Sequence, residues 1–526
     1  MKHYLVTAEE MRQYDANTIE QFHMPGLLLM ERAALVTVEE LQRMCGKASC
    51  RVLVLAGRGN NGGDGLAVGR LLMLQGYEVT FVLPGEDFYE RCSEETRRQI
   101  DILYGYGACI FSRMQDGEYD IVIDAIFGIG LSRDVEGIWK ESIQWINGSG
   151  AWVCSVDIPS GIDADTGKVM GCAVQANLTV TYGFHKTGHA LYPGAIYCGK
   201  LVCRDMGIDE RSFQHKKPYW YTYAGREAGI LPVRRADGNK GTFGKALLIV
   251  GSRQMAGAAM LAAKSAFRTG VGMVKVVTEE RNREIVQQYV PEAMVLTYTD
   301  THELEEDAAF LESLKAAEAW ADSLLIGPGI GMGKTAGSLL RFAVQESDLP
   351  LVIDADGLNL LARDHDLQSH LAKMGEQGRA IILTPHPGEF ARLYDCSIVQ
   401  VKEHLTDYPR RLSDRLCSVV VCKDARTVVA QCRGVQGYIN TTGNSGMATA
   451  GSGDVLAGMI TGFLAQGMRE MDAAVTGVYL HGYAGDLAAA QGTEACMTAT
   501  DLLDCMKDAV AQLKHGGKEK GKEALL

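Results

Sequence analysis

The stretch GRGNNGGDG, Gly57 to Gly65, follows the apolar run RVLVLA (Arg51–Ala56) and leads into the helical pattern LAVGRLLMLQ (Leu66–Gln75). A buried strand passing through a glycine turn into a helix is the repeating unit of a doubly wound α/β sheet. The glycines let a ligand approach bare backbone, and the helix start offers unpaired N–H groups to an anion. The stretch also contains Gly57-x-Gly59-x-x-Gly62, the spacing of a dinucleotide fingerprint. That spacing alone is weak evidence, because a tight strand-to-helix turn has the same composition.

Working outward, the first third of the chain alternates strand-like and helical segments. Arg51–Ala56, Glu78–Leu83, Ile121–Ala125 and Trp152–Val156 are near-continuous apolar runs, separated by helical patterns such as Ser93–Leu103. Such runs predict a parallel sheet covered on both faces, a Rossmann-like three-layer sandwich. Ahead of it, Thr7–Cys45 predicts two helices, the first capped by Thr7 with Glu10 three residues on. Around Arg204–Arg235 the pattern breaks into polar, basic and aromatic residues. A second alternating series then runs through Ala246–Val250, Val274–Val277, Ser323–Ile326, Leu351–Asp354, Ala380–Leu383 and Val419–Cys422. The expected organisation is two α/β domains, residues 1–213 and 227–515, with a linker at 214–226 and a polar tail at 516–526.

Composition narrows the function. Hydrophobic residues make up 47% and charged residues 22%, the balance of a soluble globular protein. A formal charge of −13 argues against a nucleic-acid footprint. It leaves phosphorylated substrates open, since backbone N–H groups bind phosphate without a basic surface. The 14 cysteines form no CxxC pair, and Cys154 and Cys422 sit in apolar runs, so reduced core thiols are expected. The start, MKHYLVTAEEMRQYD, lacks the apolar core of a signal peptide. No apolar run approaches the roughly 20 residues that span a bilayer. A cytoplasmic protein with no membrane or nucleic-acid partner is expected, and a homo-oligomer.

Three features go beyond a glycine turn. Asn60, Asn61 and Asp64 supply more oxygens than a pyrophosphate cradle needs. Asp124 ends a strand and precedes a second glycine turn, and Asp157 ends another with Ser160 close behind. Ligands of open parallel sheets sit beyond the carboxyl ends of the strands, so these groups should share one crevice. Oxygens of Asn61, Asp124 and Ser160 form a hard, weakly charged set, better suited to an alkali ion than to zinc. Each aspartate alone could be a helix cap.

GRGNNGGDG, VIDAIFGIGLSRD and SVDIPSGIDADTG together resemble the NAD(P)H-hydrate epimerase family over residues 1–213. The resemblance implies a potassium ion held by Asn61, Asp124 and Ser160. It implies substrate contacts from Asn60, Asn61, Gly62, Gly63 and Asp64, and from the turn Gly128, Ile129, Gly130, Leu131, Ser132, Arg133 and Asp134, together with Asp157. The substrate would be a nicotinamide dinucleotide hydrated at ring carbon 6. Asp157 is the candidate acid/base, since a buried carboxylate can be tuned toward neutrality.

In the second series, SLLIGPGIG, VIDADGLNLL and LTPHPGEF each place glycine, acid or histidine after a strand. GSGD, Gly451–Asp454, opens a helix whose N–H groups face an anion, with Asp454 placed to deprotonate an attacking hydroxyl. The plain alternative is a capped glycine-rich helix start. With KDART (Lys423–Thr427) and TPHPGE, the set resembles the ribokinase-like family, and within it the ADP-dependent NAD(P)H-hydrate dehydratases, over residues 227–510. The resemblance implies that Ala258, Gly331, His386 and Asp454 contact the hydrated dinucleotide. It implies that Lys423, Asp424, Ala425, Arg426, Thr427 and Gly453 hold ADP, with Mg2+. The two halves together resemble the bifunctional NAD(P)H-hydrate repair enzymes. Two other classes compete: a small-molecule kinase with an accessory nucleotide-binding domain, and a non-catalytic first domain acting as a scaffold.

Overall fold

The computed structural model describes residues 2–45, 50–115, 117–223, 230–299 and 307–515; the expected polar tail lies outside them. The chain divides into two compact units, one spanning Lys2–Tyr221 and the other beginning at Thr222.

The first unit is built on a seven-stranded sheet in the order Ile110–Phe111, Glu78–Val82, Arg51–Ala56, Ile121–Ala125, Trp152–Val156, Leu178–Tyr182, Lys200–Arg204. Every neighbouring pair is parallel. From Arg51–Ala56 the chain winds outward to Ile110–Phe111, then returns to the other side of Arg51–Ala56 as Ile121–Ala125. The strand order therefore reverses between these two, and that is where a crevice opens at the carboxyl ends. The loop Gly57–Gly59 leaves one strand of the pair, and helix Asn60–Leu74 follows. A Cβ on Gly57 would lie 1.8 Å from the Ile126 carbonyl oxygen, and one on Gly62 1.8 Å from the Gly57 carbonyl oxygen. Backbone packs on backbone here, so only glycine fits. The predicted capping box between Thr7 and Glu10 is present and starts helix Ala8–Gln21.

In the second unit, parallel strands run in the order Met294–Tyr298, Met273–Glu279, Lys245–Ile249, Ser323–Ile326, Leu351–Ile353, Ile381–Leu383, Val419–Cys422. Val428–Gln431 and Gly437–Ile439 continue the sheet antiparallel. The order reverses between Lys245–Ile249 and Ser323–Ile326. Helices Ala256–Arg268 and Ser452–Ala465 pack together, and Ala259, Ala262, Ala263 and Ala266 are fully buried, which accounts for that small-residue run.

Besides shifts of one or two residues at strand ends, the structure departs from the sequence expectations in ways that bear on the sites. The strand expected to end at Asp354 stops at Ile353, and Asp354 takes the N-cap position of helix Ala355–Ala362. Leu178–Tyr182 (LTVTY), not singled out as a strand, is wholly buried. It tolerates burial because Thr179 donates to the Cys198 carbonyl at 2.8 Å and Thr181 to Asp157 at 2.9 Å. Within the expected break, Glu210–Phe213 forms a 3-10 turn and Trp220–Tyr223 a strand with Trp220 and Tyr221 buried. Among the described residues no cysteine is bridged, and no helix is long and apolar enough to cross a membrane.

Candidate active sites

Beyond the central strands of the first unit, Asp124 is fully buried. Its Oδ2 accepts from the Ser155 hydroxyl at 2.7 Å and the Ser160 N–H at 2.9 Å, and Oδ1 accepts a long 3.4 Å bond from the Ile126 N–H. Burial pushes this carboxyl up, and the donors partly oppose the shift. Ser160 Oγ accepts from the Phe127 N–H at 2.8 Å. Asn61 lies against the second glycine turn: a Cβ on Gly128 would sit 3.0 Å from Asn61 Oδ1. The Asn61 amide Nδ2 is buried with no hydrogen-bond partner. A buried amide donor left unmatched is the mark of a site that takes a further group.

Asp157 follows strand Trp152–Val156 with φ +67°, uncommon for a residue other than glycine. Its Oδ1 accepts from Thr181 and pairs with the ammonium of Lys186, which is 1% exposed. Lys186 also donates to Thr181 Oγ1 at 2.9 Å. Nearby, burial pushes the Asp64 carboxyl well above the usual range, and the charges of Asp157 and Asp15 add to it. One carboxylate thus has a cation at contact distance while its neighbour favours its proton, an arrangement that separates an acid from a base. His185 and His189 flank the lysine and are held neutral, chiefly by burial.

The other candidates divide. Gly62 and Gly63 are buried in the first turn of helix Asn60–Leu74, with Asn60 exposed at its start. Gly128, Ile129 and Leu131 are half-buried. Gly130, Ser132, Arg133 and Asp134 are exposed, and among the described residues these four make no hydrogen bond to the aspartate clusters.

In the second unit the chemistry gathers around Lys423. Its Nζ donates to Asp354 Oδ1 at 2.7 Å, and Asp354 is 1% exposed. Burial opposes the lysine's charge, yet Asp354, Glu389 and Asp454 outweigh it and hold its pKa up. A Cβ on Gly453 would lie 3.3 Å from Lys423 Nζ and 3.9 Å from Asp354 Oδ2, so the GSGD backbone passes directly over this pair. Asp454, in the first turn of helix Ser452–Ala465, has its carboxyl pushed up to about 7 by burial and by the charge of Asp354.

His386 caps helix Pro387–Tyr394. Its Nδ1 accepts from the Gly388 N–H at 3.0 Å, so Nε2 carries the proton and faces Glu389 Oε1 at 3.2 Å. Gly331 N–H donates to Asp356 at 2.8 Å. Asp424 accepts from the Ala425 N–H at 2.9 Å, and Arg426 donates to the Thr441 carbonyl at 2.7 Å. Ala258 is buried beside Gly329, so its side chain presents little surface to a ligand.

The NAD(P)H-hydrate dehydratase family model matches residues 246–508, and that of the YjeF-related protein N-terminus matches residues 26–188. The bifunctional NAD(P)H-hydrate repair enzyme of Moorella thermoacetica is 37% identical, covering 97% of this chain and 97% of its own. That of Thermofilum pendens is 33% identical, covering 96% of each. This chain belongs to the bifunctional NAD(P)H-hydrate repair enzymes. It is also similar to a crystal structure of the ADP/ATP-dependent NAD(P)H-hydrate dehydratase of Bacillus subtilis, at 29% identity and a TM-score of 0.46, over 54% of this chain and 95% of that one.

As a repair enzyme the chain joins an epimerase domain to a dehydratase domain, and neither the kinase nor the scaffold alternative is favoured. Sequence reasoning passed over Lys186, Thr181, Asp354 and Glu389. Asp354 and Glu389 lie inside the stretches VIDADGLNLL and LTPHPGEF; an acid directly after a strand was a usable signal for Asp354, and a glutamate three residues after His386 at a helix start for Glu389. Lys186 had a fainter one: a charged residue in HKTGH just after a strand-like run.

Proposed function

We propose that this repair enzyme interconverts the R and S hydrates of NADH and NADPH in the first unit, and in the second restores the reduced cofactor from the S form at the expense of ADP, in the cytoplasm. The observation that carries the first half is the Asp157–Lys186 pair beside a carboxyl, Asp64, that favours its proton. The hydrate is a carbinolamine, so its ring nitrogen can expel the hydroxyl once an acid protonates it. Asp64 gives that proton. Water returns to the other face of the ring, and Asp157 takes the proton it sheds. Lys186 and Thr181 keep Asp157 oriented through the exchange.

Asn61, Asp124 and Ser160 would hold potassium. The Oδ1 of Asn61 and the oxygens of Asp124 and Ser160 make an all-oxygen donor set that suits it. When bound, the ion supplies a fixed positive charge for substrate oxygens.

In the second unit Asp454 accepts the proton of the C6 hydroxyl as that oxygen attacks the terminal phosphorus of ADP. AMP leaves, the ring nitrogen expels phosphate to leave an iminium, and ring carbon 5 gives up a proton to the departing phosphate, which restores the reduced ring. Lys423 and the N–H groups of Gly451–Gly453 stabilise the charge on the transferred group, and Asp424–Thr427 form the turn around the nucleotide. Mg2+ would accompany the nucleotide, and Asp354, Glu389 and Asp454 are the carboxylates around Lys423. Product analysis tests this: AMP and phosphate should each appear one for one with restored cofactor. Restoration without AMP would overturn the phosphorylation step.

A further inference from the structure

Outward from the dehydratase cluster, two neighbouring helices carry polar stripes. Helix Ala355–Ala362 sets Asp356 against Gly331 and continues on the same face through Asn359 to Arg363 at its C-cap. Helix Pro387–Tyr394 starts at His386 and brings up Arg392. Arg392 Nε donates to Asn359 Oδ1 at 2.9 Å, and a Cβ on Gly388 would lie 3.8 Å from its Nη1. The guanidinium is therefore held between the two helices, close to His386. Met332, Asn359, Ala362, Arg363, Arg392 and Asp395 line an open cavity of about 560 Å³. Arg341, Arg411 and Arg469 of this unit each pair with a carboxylate, whereas among the described residues Arg363 and Arg392 have no ion-pair partner. Arg363 and Arg392 thus line a cavity with a single carboxylate, Asp395, in a chain of net charge −13; Arg363 also borders a second cavity with Arg341, Asp364 and Asp366.

We propose that Arg363 and Arg392 hold a phosphate of the dinucleotide while its hydrated ring lies among Asp356, His386 and Asp454, an inference that rests on the dehydratase reading above. Planar guanidinium forks suit phosphate, and one of these is already oriented by Asn359. Arg363 stands seven residues beyond Asp356, about 10 Å along the helix axis. That spacing fits a remote handle on the substrate, whose binding energy positions the ring for reaction. The dinucleotide offers two such groups, the pyrophosphate bridge and the ribose 2′-phosphate.

The test is steady-state dehydration of purified S-NADH hydrate and S-NADPH hydrate with ADP, by the full-length enzyme and by Arg363→Gln, Arg392→Gln and Arg392→Lys. Loss of a charge-assisted phosphate contact should raise the hydrate KM about tenfold or more in each glutamine variant, with the KM for ADP unchanged. Arg392→Lys should recover part of the loss. A rise for both hydrates places the pyrophosphate at the arginines, and a rise for S-NADPH hydrate alone places the 2′-phosphate there. Unchanged KM for both hydrates, or a rise for ADP instead, overturns the proposal. If the unaltered enzyme shows no ADP-dependent dehydration, the dehydratase reading itself fails, and the occupant of the subsite with it.

Discussion

Asp454 can take a proton only when ionised, and its carboxyl is pushed up to about 7, so the dehydratase should lose activity on the acid side. We expect kcat/KM for the S hydrate to be flat above that value and to fall about tenfold per pH unit below it. Asp354→Asn removes the negative charge that, after burial, contributes most to this shift, so the acid limb should move to lower pH. An unmoved limb would mean that another group titrates. In the first unit, Lys186→Met strips the cation from Asp157 and should slow epimer interconversion by about 10²–10⁴-fold while S-hydrate dehydration persists, as exchange NMR of the two epimers would measure. Asp124 and Asp157 were legible in the sequence because a carboxylate at the end of an apolar strand stands out. The partner of Asp157 was not, since Lys186 lies 29 residues away; Lys423 was singled out, but not its pairing with Asp354, 69 residues away. Only the strand order brings such pairs together.

Among the elements, the strands that read most plainly were continuous apolar runs. Arg51–Ala56, Ile121–Ala125, Trp152–Val156, Ser323–Ile326 and Val419–Cys422 all have the bounds expected of them. Leu178–Tyr182 was hidden because threonines dilute its apolar pattern, and burying them requires hydroxyl acceptors that lie elsewhere in the chain. The glycine loop was legible as a turn, but not how closely it packs. Gly62→Ala would drive a methyl into the Gly57 carbonyl. It should destabilise the first unit by about 1–3 kcal/mol or more and abolish epimerisation, while dehydration of pure S hydrate continues. Urea denaturation followed with an epimerase readout checks the first effect. A stable, active Gly62→Ala enzyme would mean that the loop is looser than described.

For the whole molecule, the two alternating series and the polar break between them were readable at the level of two α/β units. The buried strand Trp220–Tyr223 was not, because its aromatic run WYTY sits amid polar and charged residues. Joining the two activities in one chain means that the epimerase refills the S pool as the dehydratase drains it. This is the central claim, and one measurement tests it most directly: the recovery of reduced-nicotinamide absorbance from an equilibrated mixture of R and S hydrates, with excess ADP, by the unaltered enzyme and by Asp157→Asn. The account predicts complete recovery in a single sweep by the unaltered enzyme. It predicts that Asp157→Asn stops after a fast burst equal to the S fraction and creeps onward only at the uncatalysed rate. Complete, rapid recovery by Asp157→Asn, or an unaltered enzyme that halts at the S fraction, would contradict it.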